Sequence, residues 1–345
     1  MQIDVVAKPA ESADVVVVFA AEEKKLLGLG SAYGKAVQKA LAAPAFSAKR
    51  GEIIDVLGAD GARRILVVGV GNPKELSAIR ARKIGGKIAA HLLQMREPKV
   101  QVLGGGNFGK VEEAVFLGNV ALGARLRSYR FGKYVTQAKK GQEPAEIAAL
   151  SLVASDRAGT QKIVADAEAL ATGICFARDQ VNEPPSTLYP DAFAKRLAEL
   201  KKHGIAVEVY DEGALRKMGA GGILAVAQGS QHPPRLVVLR WNGRGKTGGG
   251  KSKDGPVALV GKGVCFDSGG LSLKRTSQML TMKGDMGGAA AVAGAILTAA
   301  LRKAKVDVVG VMGLVENMPS GSSYRPGDIV KTLAGKTLEI VDTDA

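Results

Sequence analysis

Apolar runs closed by turn residues alternate along this chain with stretches whose apolar positions recur every three or four residues. "DVVVVFA" (14–20) and "RRILVVGVG" (63–71) have the unbroken apolar character of strands buried on both faces. After them, Ile84, Ile88, Leu92 and Met95 share one helical face, and Leu117, Val120, Ala124 and Tyr129 share another. "IAALSLVA" (147–154) reads as a further strand, and a helix over 161–180 follows it. Strands that alternate with helices predict an α/β fold.

The pattern breaks at "VNEPPSTLYPDAF" (181–193), where Pro184, Pro185 and Pro190 interrupt any helix. A chain of 345 residues also exceeds what one hydrophobic core usually serves. Two α/β domains are therefore expected: 1–155, a connecting helix and linker over 156–185, and 186–345. In the second, a helix opens at Pro190 and Asp191 and closes at Gly204, the strand "IAVEVY" follows, and another helix starts near Asp211. "RLVVLRW" and "PVALVG" then read as two strands of a hairpin joined by "NGRGKTGGGKSKDG", whose Gly, Lys and Ser content suits a solvated loop.

The net charge of +15 changes this picture little. Clustered Lys and Arg can neutralise nucleic-acid phosphates, and "IRARKIGGK" and "RLRSYRFGKYVTQAKK" are the densest basic patches. Neither comes with a nucleic-acid-binding module, so a solvated helix face is the simpler reading, with DNA binding through a basic first domain as the alternative. Cys175 and Cys265 are the two cysteines, too few and too far apart for a disulfide framework. No secretory signal or uninterrupted membrane-spanning run is evident. A cytoplasmic protein with no membrane partner is expected.

Several familiar chemistries fail on spacing. "VVGVGNPK" places Lys74 where a dinucleotide fingerprint needs its third glycine, and "GKGVCFDSGG" (261–270) lacks the order of a phosphate loop. Ser268 as a nucleophile would need a base and a G-x-S-x-G elbow, and "FDSGG" offers neither. What remains is oxygen chemistry. Asp267, Asp285 and Asp344 lie at the ends of apolar or small-residue segments, the last at the end of "TLEIVDTDA", read as an apolar strand. Such carboxylates suit divalent ions, and a pair of ions can share them together with an activated water. Lys262, on glycine turns expected after a strand over 256–260, can ligate an ion once deprotonated, and Lys274 can meet the charge of a tetrahedral intermediate. The plain alternative is surface Lys and Asp in glycine turns. "GGAAAVAGAILTAAL" (287–301) is apolar all round and so predicts a buried helix, whose start beside Asp285 needs either a cation or an ion pair with Lys283 or Lys262.

"NEPPSTLYP", "AVAQGSQHPPRLVVLRW", "VGKGVCFDSGGLSLK", "MKGDMGGAAAV", "ENMPSGSSYRPGDIV" and "DTDA" stand in an order that resembles the cytosolic leucyl aminopeptidases of the bacterial aminopeptidase A type. The resemblance is dense from about residue 175 onward and looser before it, where the α/β pattern is similar to the family's macro-like N-terminal domain. It implies a peptidase with two Mn²⁺ or Zn²⁺ ions that removes N-terminal residues, often leucine, from peptides. By position, Lys262, Asp267, Asp285 and Asp344 match metal ligands, with Asp267 bridging, and Lys274 matches the catalytic lysine. A homohexamer and a bicarbonate general base are further implications. The family pattern at the last motif is N-T-D-A-E-G-R. Here Asp342 stands where Asn is usual and the chain stops at Ala345, before the Glu and Arg of that pattern, so the catalytic domain is expected to be incomplete and the chain weakly active or inactive. A non-catalytic, hexamer-forming protein and a metal phosphoesterase are rival readings.

Overall fold

The computed structural model describes residues 1–10, 13–29, 35–59, 62–95, 99–137, 146–245 and 255–344. The chain forms two compact units, 1–171 and 172–345.

The first unit contains β1 (Gln2–Val6), β2 (Val15–Ala21), β3 (Lys25–Leu27), α1 (Lys35–Ala42), β4 (Ile53–Ala59), β5 (Ala62–Gly71), α2 (Ala78–Leu92), β6 (Lys99–Leu103), α3 (Glu113–Arg127) and β7 (Ala149–Val153). Its sheet runs in the order β1-β7-β6-β2-β5-β4, with β3 paired to β2. β1, β7, β6, β2 and β5 are mutually parallel, and β3 and β4 are antiparallel to their partners. The apolar run of β2 follows from its central place. Val15, Val17, Phe19 and Ala21 enter one core with α2 and α3, while Val16, Val18 and Ala20 enter another with Val37 and Leu41 of α1. A strand covered on both faces has no solvent side to make polar. Ile84, Ile88 and Leu92 are buried as the periodicity predicts, and Met95 packs against the same core just past the helix. In the first basic segment, Arg80 pairs with Glu75 at 2.8 Å and Arg82 donates to Asn119 Oδ1 at 3.1 Å.

Helix α4 (Arg157–Asn182) runs from the first unit into the second. The second unit continues with α5 (Pro190–Ala198), β8 (Ala206–Tyr210), α6 (Glu212–Met218), α7 (Gly221–Ala227), β9 (Arg235–Asn242), β10 (Val257–Asp267), α8 (Thr276–Met279), α9 (Gly287–Leu301), β11 (Asp307–Asn317), β12 (Ile329–Lys331) and β13 (Thr337–Glu339). Its main sheet has the order β10-β11-β9-β8. Pro190 occupies the first turn of α5, and Gly204, in the left-handed region, closes the 3₁₀ turn that follows. The Asp211 side chain accepts from the Ala214 N–H at the start of α6.

Three sequence expectations are corrected here. β9 and β10 are not hairpin partners, because β11 lies between them, parallel to β10 and antiparallel to β9. The chain leaves β10, forms α9 across the sheet and returns as β11 into that gap, a crossover that parallel pairing requires; the loop segment 246–254 lies outside the described residues. The glycine-rich stretch after residue 260 does not turn either. It stays extended through Asp267, and its glycines serve packing: a Cβ on Gly261 would stand 2.7 Å from Ala289 Cα of α9, and one on Gly263 2.4 Å from the Gly313 carbonyl of β11. The turn comes at Gly269 and Gly270, with φ of +87° and +64°. Finally, "TLEIVDTDA" is no apolar strand. Only Thr337–Glu339 pairs, with β12, and Leu338 and Val341 are exposed.

Helix α9 meets the all-round apolar expectation, with Ala289, Ala290, Ala293, Gly294, Ile296 and Leu297 buried. Residues 276–301 are long and apolar enough to cross a membrane by composition, but α9 packs on β10, β11 and β9 as the core helix of this unit. Cys265 is buried and Cys175 half-buried, and neither is in a disulfide.

Candidate active site

The C-terminal ends of the parallel strands β10 and β11 bring the candidate residues together, as open α/β sheets commonly do. Asp267 and Asn317 are register partners at those ends, beside an irregularity in the pairing. Both are buried, with no exposed surface on Asp267. A buried carboxylate demands hydrogen bonds and a counter-charge. Asp267 Oδ1 accepts from the Gly269 N–H at 2.9 Å and from Asn317 Nδ2 at 2.8 Å, and its Oδ2 accepts from Lys274 Nζ at 3.0 Å.

Lys274 is held by the turn that follows β10, its N–H donating to the Ser268 carbonyl at 2.9 Å. Its ammonium bridges Asp267 to Asp344. Asp344 reaches this point because the segment before it is fastened: Thr343, fully buried, donates from Oγ1 to the Gly269 carbonyl at 2.8 Å and accepts there from the Ser272 N–H at 2.8 Å. The Asp344 N–H in turn donates to Asp342 Oδ1 at 3.0 Å, so the residue that departs from the family pattern turns the chain locally.

Asp285 follows the short 3₁₀ turn ahead of α9. Lys262, from the middle of β10, places Nζ 3.0 Å from Asp285 Oδ2, so the ion pair forms with Lys262; Lys283 instead donates to the Asn182 carbonyl at 2.8 Å. Asp285 Oδ2 is a buried oxygen whose charge is met by the Lys262 ammonium. Burial raises the Asp285 carboxyl above the usual range; Lys262 opposes that shift and the charge of Asp267 adds to it. Tyr324 is pushed up to about 12, first by burial and then by the charges of Asp267 and Asp342.

The structure thus gathers Asp267, Lys274 and Asp344 in one ion-paired group past the end of β10, and pairs Lys262, from the middle of that strand, with Asp285 close enough to feel the charges of Asp267 and Lys274. Among the described residues no three Asp, Glu, His or Cys side chains converge closely enough to enclose an ion; the Lys274 ammonium stands between Asp267 and Asp344. The donor set nevertheless fits a divalent cation. Three carboxylates face two lysines, and carboxylate oxygens are donors that divalent ions such as Mn²⁺ and Zn²⁺ accept.

Other chemistries lose ground. Ser268 is buried and donates its hydroxyl to the Asn317 carbonyl at 2.7 Å, His91 pairs with Asp55, and His232 stacks on Tyr189 with ring centroids 4.3 Å apart. A cavity of about 680 Å³ elsewhere in the second unit, lined by Arg216, Gln228 and Ser230 among others, contains none of the five residues. Sequence reasoning missed Asn317, Thr343 and Tyr324. The signal for Asn317 was its place at the end of "VVGVMGLVEN", the polar close of an apolar strand beside β10.

The sequence profile of the "Cytosol aminopeptidase family, catalytic domain" matches residues 175–345, and that of the "Cytosol aminopeptidase family, N-terminal domain" matches residues 15–138. The chain belongs to the cytosol aminopeptidase family. A "Probable cytosol aminopeptidase" of Bradyrhizobium sp. is 45% identical over 330 residues, 92% of this chain and 64% of that one. One of Nitrobacter winogradskyi is 42% identical over 343 residues, 97% and 66%. The chain therefore spans a little under two thirds of the length of these relatives. Among solved structures, the bottromycin maturation enzyme BotP in complex with Mn superposes with a TM-score of 0.77 at 34% identity, covering 96% of this chain and 66% of BotP. The cytosol aminopeptidase of Coxiella burnetii gives 0.75 at 27%, covering 99% and 66%. The macro-like and metallopeptidase expectations for the two domains thus meet the two domain profiles of one peptidase family.

Proposed function

We propose that the site is the metal centre of an aminopeptidase that releases N-terminal residues, leucine among them, from peptides in the cytoplasm. The observation that carries this reading is the set of three aspartates paired with two lysines: Lys274 between Asp267, at the end of β10, and Asp344, and Lys262 of the same strand against Asp285. Lys262, Asp267, Asp285 and Asp344 would hold two divalent ions; the complex of the similar BotP with Mn favours Mn²⁺, and Zn²⁺ suits the same donors. When bound, the ions supply an acidified water and polarise the scissile carbonyl.

The chain's own residues do the rest. Asp267, pinned by Asn317 and Gly269, presents a fixed carboxylate. Lys274 is anchored by its backbone, so its side chain is free to leave the carboxylate pair when cations enter and to stabilise the oxyanion that develops on the substrate. Bicarbonate as a general base and hexameric assembly rest on family resemblance.

Hydrolysis of leucine p-nitroanilide with added Mn²⁺ or Zn²⁺ tests the reading. Chelator-sensitive release is expected. No release from the folded protein with either ion would overturn the peptidase reading.

A further inference from the structure

We propose that Asn317 is a positioning residue that presets the spacing of Asp267 and Asp344 for cation binding, with Tyr324 as its helper. The proposal rests on the metal reading above.

The side chain of Asn317 is 1% exposed and lies between two acceptors. Its Nδ2 donates to Asp267 Oδ1 and to the Thr343 carbonyl, each at 2.8 Å. Both neighbours can only accept, so the amide must turn its NH₂ end toward them. Its Oδ1 is then left buried without a partner, a cost that an ordinary core asparagine avoids. Orientation toward the two carboxylate-bearing segments outweighs satisfaction of that oxygen.

The geometry makes Asn317 the tie between segments 50 and 26 residues away in sequence. Its backbone carbonyl accepts from Ser268 as well, through the N–H at 3.0 Å and the hydroxyl at 2.7 Å. Tyr324 OH donates to the same Thr343 carbonyl at 2.8 Å, fixing the residue before Asp344 from a second side. Gly270 leaves the room this requires: a Cβ there would stand 2.9 Å from Asn317 Oδ1 and 3.1 Å from Thr343 Oγ1. Asp344 itself has a partly exposed side chain, so without this fastening it would carry the ordering cost of its own segment whenever a cation bound. Preset ligands avoid that cost, and outer partners of metal ligands typically govern about 10- to 100-fold in affinity.

The test is Mn²⁺ titration of the 345-residue chain by calorimetry at a temperature well below unfolding, with Asn317→Leu and Tyr324→Phe beside the wild type. Asn317→Leu keeps the branching at Cγ and removes the Nδ2 donor to both acceptors, with some added bulk; Tyr324→Phe removes one donor without adding bulk. About tenfold weaker Mn²⁺ binding in Asn317→Leu, with a smaller loss in Tyr324→Phe, is expected. A merely structural role would lower the melting temperature and leave the affinity of the folded protein alone, so equal affinities would overturn the proposal. If Asn317→Leu does not fold, Tyr324→Phe decides: affinity equal to wild type overturns the proposal and weaker binding upholds it. A wild type that binds no Mn²⁺ overturns the metal reading itself, a distinct outcome.

Discussion

The two units use one architecture and fill it in opposite ways. In the first, large side chains occupy the space between sheet and helices: Phe19, Phe108 and Phe116 form a cluster in which Phe108 and Phe116 stack at 3.9 Å and Phe19 meets Phe116 edge-on at 5.0 Å. In the second, α9 approaches β10 so closely that Gly261 has no room for a Cβ against Ala289. Gly294 of the same helix lies against Gly173 of α4, where a Cβ would stand 2.4 Å from the Gly173 carbonyl. Aromatic filling gives a tolerant, strongly apolar core. Close backbone packing gives position: it sets the start of α9, and hence Asp285, against Lys262 in the middle of the neighbouring strand.

That contrast can be broken at either end. Phe116→Ala, which empties the centre of the aromatic cluster, should cost the first unit about 4 kcal/mol, read as faster amide exchange along β2; loss below about 1 kcal/mol would mean the cluster is not the keystone of that core. Gly261→Val should cost the second unit about 3 kcal/mol by overpacking. The fluorescence of Trp241, the only tryptophan, on β9 reports that transition, and Mn²⁺ affinity should fall with it. Unchanged stability would show that α9 can retreat from the sheet without consequence.

The smallest effect concerns a polar tie outside both cores. Asp191 in the first turn of α5 is held below the usual carboxylate range by hydrogen bonds from Lys195 and Arg235, against the opposing effect of burial. A depressed folded pKa means stabilisation present above the unfolded value of 3.8 and lost as pH falls through the lower folded value. Asp191→Asn should thus cost about 0.5 kcal/mol near neutrality, the partly exposed pairs being screened by solvent. The gap to wild type in denaturant melts should close below about pH 3.8; a gap that persists at pH 2 would assign the effect to packing.

The sequence pattern announced the elements of both units better than their pairing. The valines of β2 and the alanines of α9 carry their burial in composition, because a face that meets only protein has no use for polar groups. The partner of β10 was hidden, since β11 arrives 40 residues beyond the end of β10 and nothing local distinguishes a hairpin from a crossover. Glycines misled for a related reason. Gly261 and Gly263 look like turn residues, yet what they serve is a neighbour's backbone, which only the tertiary structure supplies. Lys262, Asp267, Lys274, Asp285 and Asp344 were legible as charged residues stranded among apolar and small ones. Asn317 and Thr343 were not, because uncharged residues that act through hydrogen bonds to distant segments leave no periodicity behind.

The central claim is that the lysine-bridged carboxylates at the ends of β10 and β11 form a cation site. Crystals of the chain grown with Mn²⁺, measured at an energy where Mn scatters anomalously, test it most directly. The account predicts anomalous peaks among Asp267, Asp285 and Asp344, with the Lys274 ammonium withdrawn from its place between Asp267 and Asp344. Mn²⁺ bound only elsewhere, or no peak with the Lys274 bridge intact, would contradict it.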